Sequence, residues 1–308
     1  MEASITLKSL AKKYNDDIIL ADLSLGIESR SNHVLIGQNG AGKSTVLRIL
    51  IGLIEKDAGF AYIHGKDIAN RGPETRMLTG YMPQYIDLDN EINIHENLFI
   101  FSELYGVESD VAEDKIMKYA DIFDFKKDLR KHPNELSKGT LRSIQFTRSI
   151  LHDPEVLLLD EPTAFMDPIN KMKFWDLLDR IGKDKTLLFT TQDFNEAEKY
   201  ADRISILHNG NIKMDGSLDK LVGTTKGIAK YQIRFNEHPS GDILDKIKEL
   251  PKILKPVMNG NNLDFYATER KDFFHVLKIA IDCQIEDIDM GFCSLIDLYL
   301  GLIGSRLE

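Results

Sequence analysis

Nine consecutive residues, Gly37, Gln38, Asn39, Gly40, Ala41, Gly42, Lys43, Ser44 and Thr45, read GQNGAGKST. They satisfy the spacing of a glycine, four residues, a second glycine, a lysine and a serine or threonine. That combination holds phosphate. Gly40 and Gly42 let the backbone curl closely, its N–H groups point inward, and a helix beginning there adds partial positive charge. Lys43 then reaches the β- and γ-phosphates, the Ser44 hydroxyl can ligate Mg²⁺, and Thr45 supports a phosphate oxygen. Far downstream, Asp160 and Glu161 end the apolar run Val156-Leu157-Leu158-Leu159. Ligand sites in open α/β sheets lie at the C-terminal edge of the strands, so this pair divides two tasks: Asp160 holds Mg²⁺ through water, and Glu161 polarises an attacking water. An acidic strand end alone would be ordinary solvent-facing surface; an intact phosphate loop upstream makes it the second half of a triphosphate site.

These residues need strands and helices to position them. His33-Val34-Leu35-Ile36 is a short apolar strand before the loop, and Val46, Leu47, Ile49, Leu50 and Leu53 give Thr45–Leu53 a buried helix face. Pro154 precedes the Val156 run, which reads as a parallel strand covered on both faces. Between Leu88 and Ser149 the pattern turns helical, with segments at 94–105 and 110–123 and a third opened by Ser137. After Gln192, Asn195–Ala201 is helical, and Arg203–Leu207 and Asn211–Met214 flank Asn209-Gly210, a strong hairpin signal.

The chain of 308 residues is long enough for one large domain and one smaller. A nucleotide-binding domain over 1–222, with a helical subdomain at about 88–150, and a C-terminal domain over 228–308 are expected. Gly223–Gly227 reads as the linker. Beyond it come an alternating strand from Ala229, a helix carrying Ile243 and Ile247, strands near Ile253 and at Leu263–Ala267, and an amphipathic helix at Lys271–Ile281. A strand at Ile285–Asp289 and a helix at Ser294–Ile303 follow. That order predicts a small α+β domain with antiparallel strands. Glu286, Asp287 and Asp289 read as a solvated strand end, and Cys283 and Cys293, without metal spacing, as buried thiols. A net charge of -10 speaks against nucleic acid as partner. No apolar run has the roughly 18 residues of a membrane-spanning helix, and Met1–Leu7 lacks the pattern of a secretory leader, so a cytoplasmic protein is expected.

Further motifs in fixed order make the chain resemble the ATP-binding-cassette transporter family from residue 1 to about 220. Gln84, in Tyr81-Met82-Pro83-Gln84, is similar to the family's glutamine loop, which touches Mg²⁺ or the lytic water and borders the permease. LSKGT at Leu136–Thr140 resembles the signature LSGGQ, and Glu161-Pro162-Thr163-Ala164-Phe165-Met166-Asp167 the catalytic glutamate with the dimer-crossing loop. Tyr14 stands where the family stacks a ring on adenine. The resemblance implies an α/β P-loop NTPase, a RecA-like core with an antiparallel β subdomain and a helical subdomain, using ATP and Mg²⁺. It implies Glu161, Gln192 and Gln84 as catalytic residues and Ser44, Gln84 and Asp160 around the metal. Ser137, Gly139 and Asp167 would reach the ATP of a partner in a head-to-tail homo- or heterodimer.

Three positions depart from the family pattern, one of them Thr140, which replaces the usual signature glutamine. Lys138 replaces the first signature glycine, leaving Ser137 and Gly139 as donors, and a cation beside triphosphate is favourable. Gln192, in Thr190-Thr191-Gln192, stands where the family has a histidine on the γ-phosphate, and its amide is still a donor. The Lys138 and Gln192 variants resemble drug-resistance exporter ATPases. The expected function is therefore the ATP-hydrolysing subunit of an exporter, held at the inner face of the membrane by a separate permease. The alternative is a related ATPase acting on ribosomes or another assembly, and a third reading is a non-hydrolysing cassette. The C-terminal domain resembles the accessory domain of drug-exporter ATPases, implying dimer contact or regulation.

Overall fold

Ile5, Leu7 and Leu10 are buried, as are Leu20, Leu23, Leu25 and Ile27. Their near-alternate spacing makes two half-buried strands, β1 (Ala3–Tyr14) and β2 (Asp17–Glu28), paired antiparallel across a tight turn in which Asn15 takes a left-handed φ of 53°. The computed structural model describes residues 3–223, 229–239, 242–267, 269–281, 283–292 and 294–304. The chain divides into two compact units, Met1–Ser217 and Leu218–Glu308.

In the first unit β3 (Asn32–Ile36) is followed by α1 (Lys43–Leu50), then by β4 (Ala58–Ile63) and β5 (Lys66–Asp67), which join the first two strands in the antiparallel order β2-β1-β4-β5. Next come α2 (Gly72–Met77), β6 (Thr79–Met82) and three successive helices, α3 (Ile94–Leu104), α4 (Ser109–Ile122) and α5 (Lys138–Ile150). The unit ends with β7 (Val156–Asp160), α6 (Pro168–Ile181), β8 (Thr186–Thr191), α7 (Phe194–Tyr200), β9 (Arg203–His208) and β10 (Asn211–Gly216).

The second sheet runs β10-β9-β3-β8-β7-β6, parallel except for the β9-β10 hairpin. Val156 to Asp160 and Thr186 to Thr191 are buried throughout, the mark of strands covered on both faces. Register pairs Ile36 with Thr191, Asp160 with Thr190 and Met82 with Leu159. The C-terminal ends of β3, β8, β7 and β6 therefore meet along one edge. A file of aromatic rings, Phe123, Phe146, Phe174, Trp175 and Phe189, ties α4, α5 and α6 to β8 with neighbouring centroids 4.4 to 6.0 Å apart.

Side-chain caps start the helices near that edge. Asn93 and Glu96 form a reciprocal capping box on α3, Ser137 accepts from the Thr140 N–H on α5, and Asp167 and Asp193 cap α6 and α7. The helix after the phosphate loop starts at Lys43, two residues before the expected Thr45, because the loop itself wraps its first turn. It stops at Leu50 rather than Leu53, with Gly52 turning left-handed at φ 77°.

The second unit contains α8 (Leu218–Gly223), β11 (Ala229–Phe235), α9 (Asp242–Lys248), β12 (Ile253–Asn259), β13 (Asn262–Ala267), α10 (Arg270–Ala280), β14 (Ile285–Phe292) and α11 (Leu295–Gly304). From β11 to β14 the order is strand, helix, strand, strand, helix, strand, in an antiparallel sheet β12-β13-β11-β14. This is a split-βαβ, ferredoxin-like arrangement. Tyr231, Ile233, Phe235, Leu263 and Phe265 of the sheet are buried with Ile243, Ile247, Val276 and Ala280 of the two helices, a core separate from that of the first unit. Of the linker expected at 223–227, only Gly223 is described; the rest lies outside the described residues, as does Cys293. Cys283 is half-buried rather than buried, packing against this core from the turn that follows α10.

Candidate functional site

Gly40 and Gly42 take φ values of 80° and 105°, conformations that side chains rarely adopt. A Cβ on Gly42 would also lie 2.7 Å from Leu20 Cδ2, so glycine is required there by space as well as by backbone. Gly42 is the N-cap of α1 without a side-chain hydrogen bond, which leaves the first N–H groups of the helix to an anion. Lys43 is buried and folds back on the loop, its Nζ donating to the carbonyls of Gly37 at 2.8 Å and Gln38 at 3.1 Å. Burial pulls its pKa below the ordinary lysine value, while the carboxylates of Glu161 and Asp160 pull the other way.

Tyr14, Asn39, Gly40, Lys43, Ser44, Thr45, Gln84 and Glu161 line a single cleft of about 200 Å³. Residues from β1, the phosphate loop, the end of β6 and the end of β7 are thus brought together. Tyr14 is partly exposed at its rim, with Lys12 Nζ 5.4 Å from the ring centroid.

Asp160 is buried, and its Oδ1 accepts from the Thr190 hydroxyl at 2.6 Å. Its Oδ2 is buried with no hydrogen-bond partner among the described residues. Glu161, the next residue, has φ 46°, a left-handed conformation that costs a residue with a side chain about 1–2 kcal/mol. Three contacts hold it. Its N–H donates to Thr190 Oγ1 at 3.0 Å, its carbonyl accepts from Arg142 Nη2 at 2.6 Å, and its Oε1 accepts from Gln192 Nε2 at 2.5 Å. The sheet register makes the last bond possible, because Asp160 stands opposite Thr190 and the two strand ends turn out together.

A second cluster stands behind the edge. The buried Glu196 of α7 accepts from Thr163 Oγ1 at 2.6 Å, from Thr191 Oγ1 at 3.2 Å and from Lys171 Nζ at 3.2 Å. It joins the segment after Glu161, the strand end before Gln192 and the start of α6.

Ser137, Gly139 and Asp167 do not line the cleft. They cap or open helices instead, with Ser137 and Asp167 exposed. The signature segment and the loop before Asp167 touch: a Cβ on Gly139 would lie 3.0 Å from the Phe165 carbonyl oxygen, and Lys138 Nζ sits 5.1 Å from the Phe165 ring centroid. Phe165 is left-handed at φ 65° and exposed.

Sequence reasoning passed over Arg142, Thr190 and Glu196. Their partners, backbone carbonyls for Arg142, the Asp160 carboxylate and Glu161 N–H for Thr190, and two hydroxyls and Lys171 for Glu196, lie on elements far apart in the chain, and no spacing announces them. The only trace in the sequence is an arginine set among the residues of α5 that the apolar pattern would bury, Leu141, Ile144 and Phe146.

Known proteins resemble this chain in sequence and fold. The family model for ABC transporters matches residues 20–164. The chain is similar to a Nod factor export ATP-binding protein I of Burkholderia orbicola, 31% identical over 75% of this chain and 76% of the relative. It is similar to the daunorubicin resistance ATP-binding protein DrrA3 of Streptomyces coeruleorubidus, 33% identical over 73% of this chain and 72% of the relative. Among solved structures it resembles an ATP-binding subunit of an ABC transporter, with a TM-score of 0.68 at 28% identity, covering 72% of this chain and 93% of that one.

Proposed function

Because the chain belongs to the ATP-binding-cassette transporter family, as an ATP-binding and ATP-hydrolysing subunit, we propose that it powers export through a separate membrane permease, with Glu161 polarising the attacking water. The observation that carries this reading is the meeting of the phosphate loop, Gln84, Asp160-Glu161 and Gln192 at one sheet edge, with Gln192 bonded to Glu161 at 2.5 Å.

The loop N–H groups and Lys43 take the β- and γ-phosphates, and Tyr14 offers its ring to the base. Asp160 Oδ2, an unspent buried acceptor, the Ser44 hydroxyl and the Gln84 amide oxygen are the hard oxygen donors that suit Mg²⁺. Bound there, Mg²⁺ would neutralise charge on the phosphate oxygens. The Glu161 carboxylate would accept a proton from water at the cleft, while Gln192 holds it in place through Oε1 and offers its second amide N–H toward the γ-phosphate.

Ser137, Gly139 and Asp167 lie outside the cleft of their own chain, which suits a head-to-tail dimer in which they face the partner's ATP. Closure on ATP would pull the permease, and hydrolysis would reopen the dimer. Tyr85, next to Gln84, exposes a large ring where the permease contact is expected. No helix among the described residues is long and apolar enough to cross a membrane. Export is supported by the names of the relatives, and the ribosome-acting alternative has no support among them. The C-terminal unit is assigned to dimer contact or regulation.

The test is hydrolysis of Mg-ATP by the purified chain, with a rate rising faster than linearly in protein concentration. Glu161→Gln should bind ATP, stop turning it over and copurify from gently solubilised membranes with a multi-spanning protein. Turnover by Glu161→Gln at the unsubstituted rate would overturn the catalytic assignment.

A further inference from the structure

Arg142 is fully buried, a condition that costs a guanidinium several kcal/mol unless its donors are used. Burial lowers its pKa to about 10, against the opposing pull of Asp160, Glu161 and Asp87, so it stays cationic at neutral pH. Its Nη donors go mainly to two places, with Gln145 Oε1 at 3.2 Å also taking from Nη1 and Nε alone left without a partner among the described residues. Nη1 donates to the carbonyls of Pro83 at 2.6 Å and Gln84 at 3.2 Å, while Nη2 donates to those of Asp160 at 3.1 Å and Glu161 at 2.6 Å. One rigid fork on α5 thus holds the end of β6 and the end of β7 together. Its neighbours on the same helix reinforce the first attachment: Gln145 donates to the Tyr85 carbonyl and to Asp87, and Arg148 to Asp87.

We propose that Arg142 is a positioning residue for ATP hydrolysis: its guanidinium pins Glu161 in its left-handed conformation and yokes that residue to the Gln84 loop, so that the two shift as one body. The geometry explains why arginine is needed. A lysine has a point charge on a flexible stem and reaches one pair of carbonyls at a time, whereas the planar guanidinium presents two nitrogens in fixed opposition. Glu161 has to sit within a fraction of an ångström of its working position, and a displacement of about 1 Å costs on the order of 100-fold in rate. Arg142 itself does not line the cleft, so its substitution should leave ATP affinity largely in place.

The inference rests on the assignment of Glu161 above, and the experiment separates the two. Arg142→Lys, Arg142→Met and Glu161→Gln are compared in the full chain by steady-state hydrolysis, by ATP affinity without turnover, and by the fraction of protein trapped as an ATP-bound dimer. The expected result for Arg142→Lys is a kcat lower by on the order of 10- to 100-fold, an ATP affinity within about threefold of the parent, and accumulation of the ATP dimer as in Glu161→Gln. Arg142→Met should be at least as impaired. An unchanged kcat in Arg142→Lys beside an inactive Glu161→Gln would overturn this inference alone; an active Glu161→Gln would overturn the site assignment. A fall in kcat matched by an equal loss of ATP affinity would assign Arg142 to maintenance of the cleft and also overturn it. If the substituted chains do not fold, amide hydrogen exchange in the unsubstituted chain decides: peptides containing Gln84 and Glu161 should open with one common free energy, and separate opening energies refute the yoke.

Discussion

Gln192 Nε2 donates to Glu161 Oε1 at 2.5 Å, joining two strand ends in which Asp160, the last residue of β7, stands opposite Thr190, the last but one of β8. An amide at this position fixes the carboxylate, and in the proposed site its second N–H would be the donor to the phosphate. Gln192→Ala is expected to lower kcat by on the order of 100-fold with little change in ATP affinity, since a donor aimed at the reacting group is removed. Gln192→His, which restores the family's more usual donor, should retain most of the rate. Steady-state kinetics of the two variants check this.

Glu196 gathers hydroxyls from Thr163 and Thr191 in a buried site. Glu196→Ala removes the acceptor of both hydroxyls, leaving Thr191 only the Asp193 N–H it accepts, and unsatisfied buried polar groups cost roughly 1–3 kcal/mol each. The expected loss is about 2–4 kcal/mol in the first unit. Trp175, the one tryptophan of the chain, stacks on Tyr200 at 4.1 Å within that unit, so urea unfolding followed by its fluorescence measures the change.

Acid should weaken the first unit through two histidines. Burial holds His33 and His152 at a pKa of about 4, below the ordinary 6.5. Between those values the unfolded chain binds more protons than the folded one. Their contribution to stability is complete above about pH 6.5 and is lost as pH falls toward about 4, at roughly 1.4 kcal/mol per pH unit for each histidine. His152→Gln should flatten the dependence of the Trp175 unfolding midpoint on pH by about half within that window.

The second unit has its own core, in which Phe265 is fully buried and stacks on Tyr231 with centroids 5.4 Å apart. Phe265→Ala should cost that unit about 3–5 kcal/mol. Calorimetry should show its transition shifting down while the transition read by Trp175 stays in place.

Contiguous motifs were legible because their chemistry sits in adjacent residues: GQNGAGKST, Asp160-Glu161 and the Ser137 cap all stand in the structure where the sequence places them. Periodicity located the helices expected at 94–105 and 110–123 to within a residue, the start of the helix opened by Ser137, and the strand-helix order of the second unit. It could not give the order β12-β13-β11-β14, because which strands become neighbours depends on packing between residues far apart in the chain. Nor could it find Arg142. A buried cation bonded to four backbone carbonyls leaves no mark in its own neighbourhood, and the carbonyls of Pro83 and Glu161 look like any others until the fold sets them side by side.

The sheet order also sets a timetable for synthesis. β3, which ends at the phosphate loop, pairs Asn32 with Leu187 and His33 with Arg203, so both of its neighbours are made long after it. Non-local parallel pairing is slow, since loop closure precedes any reward. On the ribosome, the segment that carries Lys43 has to wait unpaired until β8 and β9 emerge. A nascent chain therefore has no working grip on nucleotide, and arrival of β9 is both the last step of folding for that sheet's interior and the first moment at which ATP can stabilise the product.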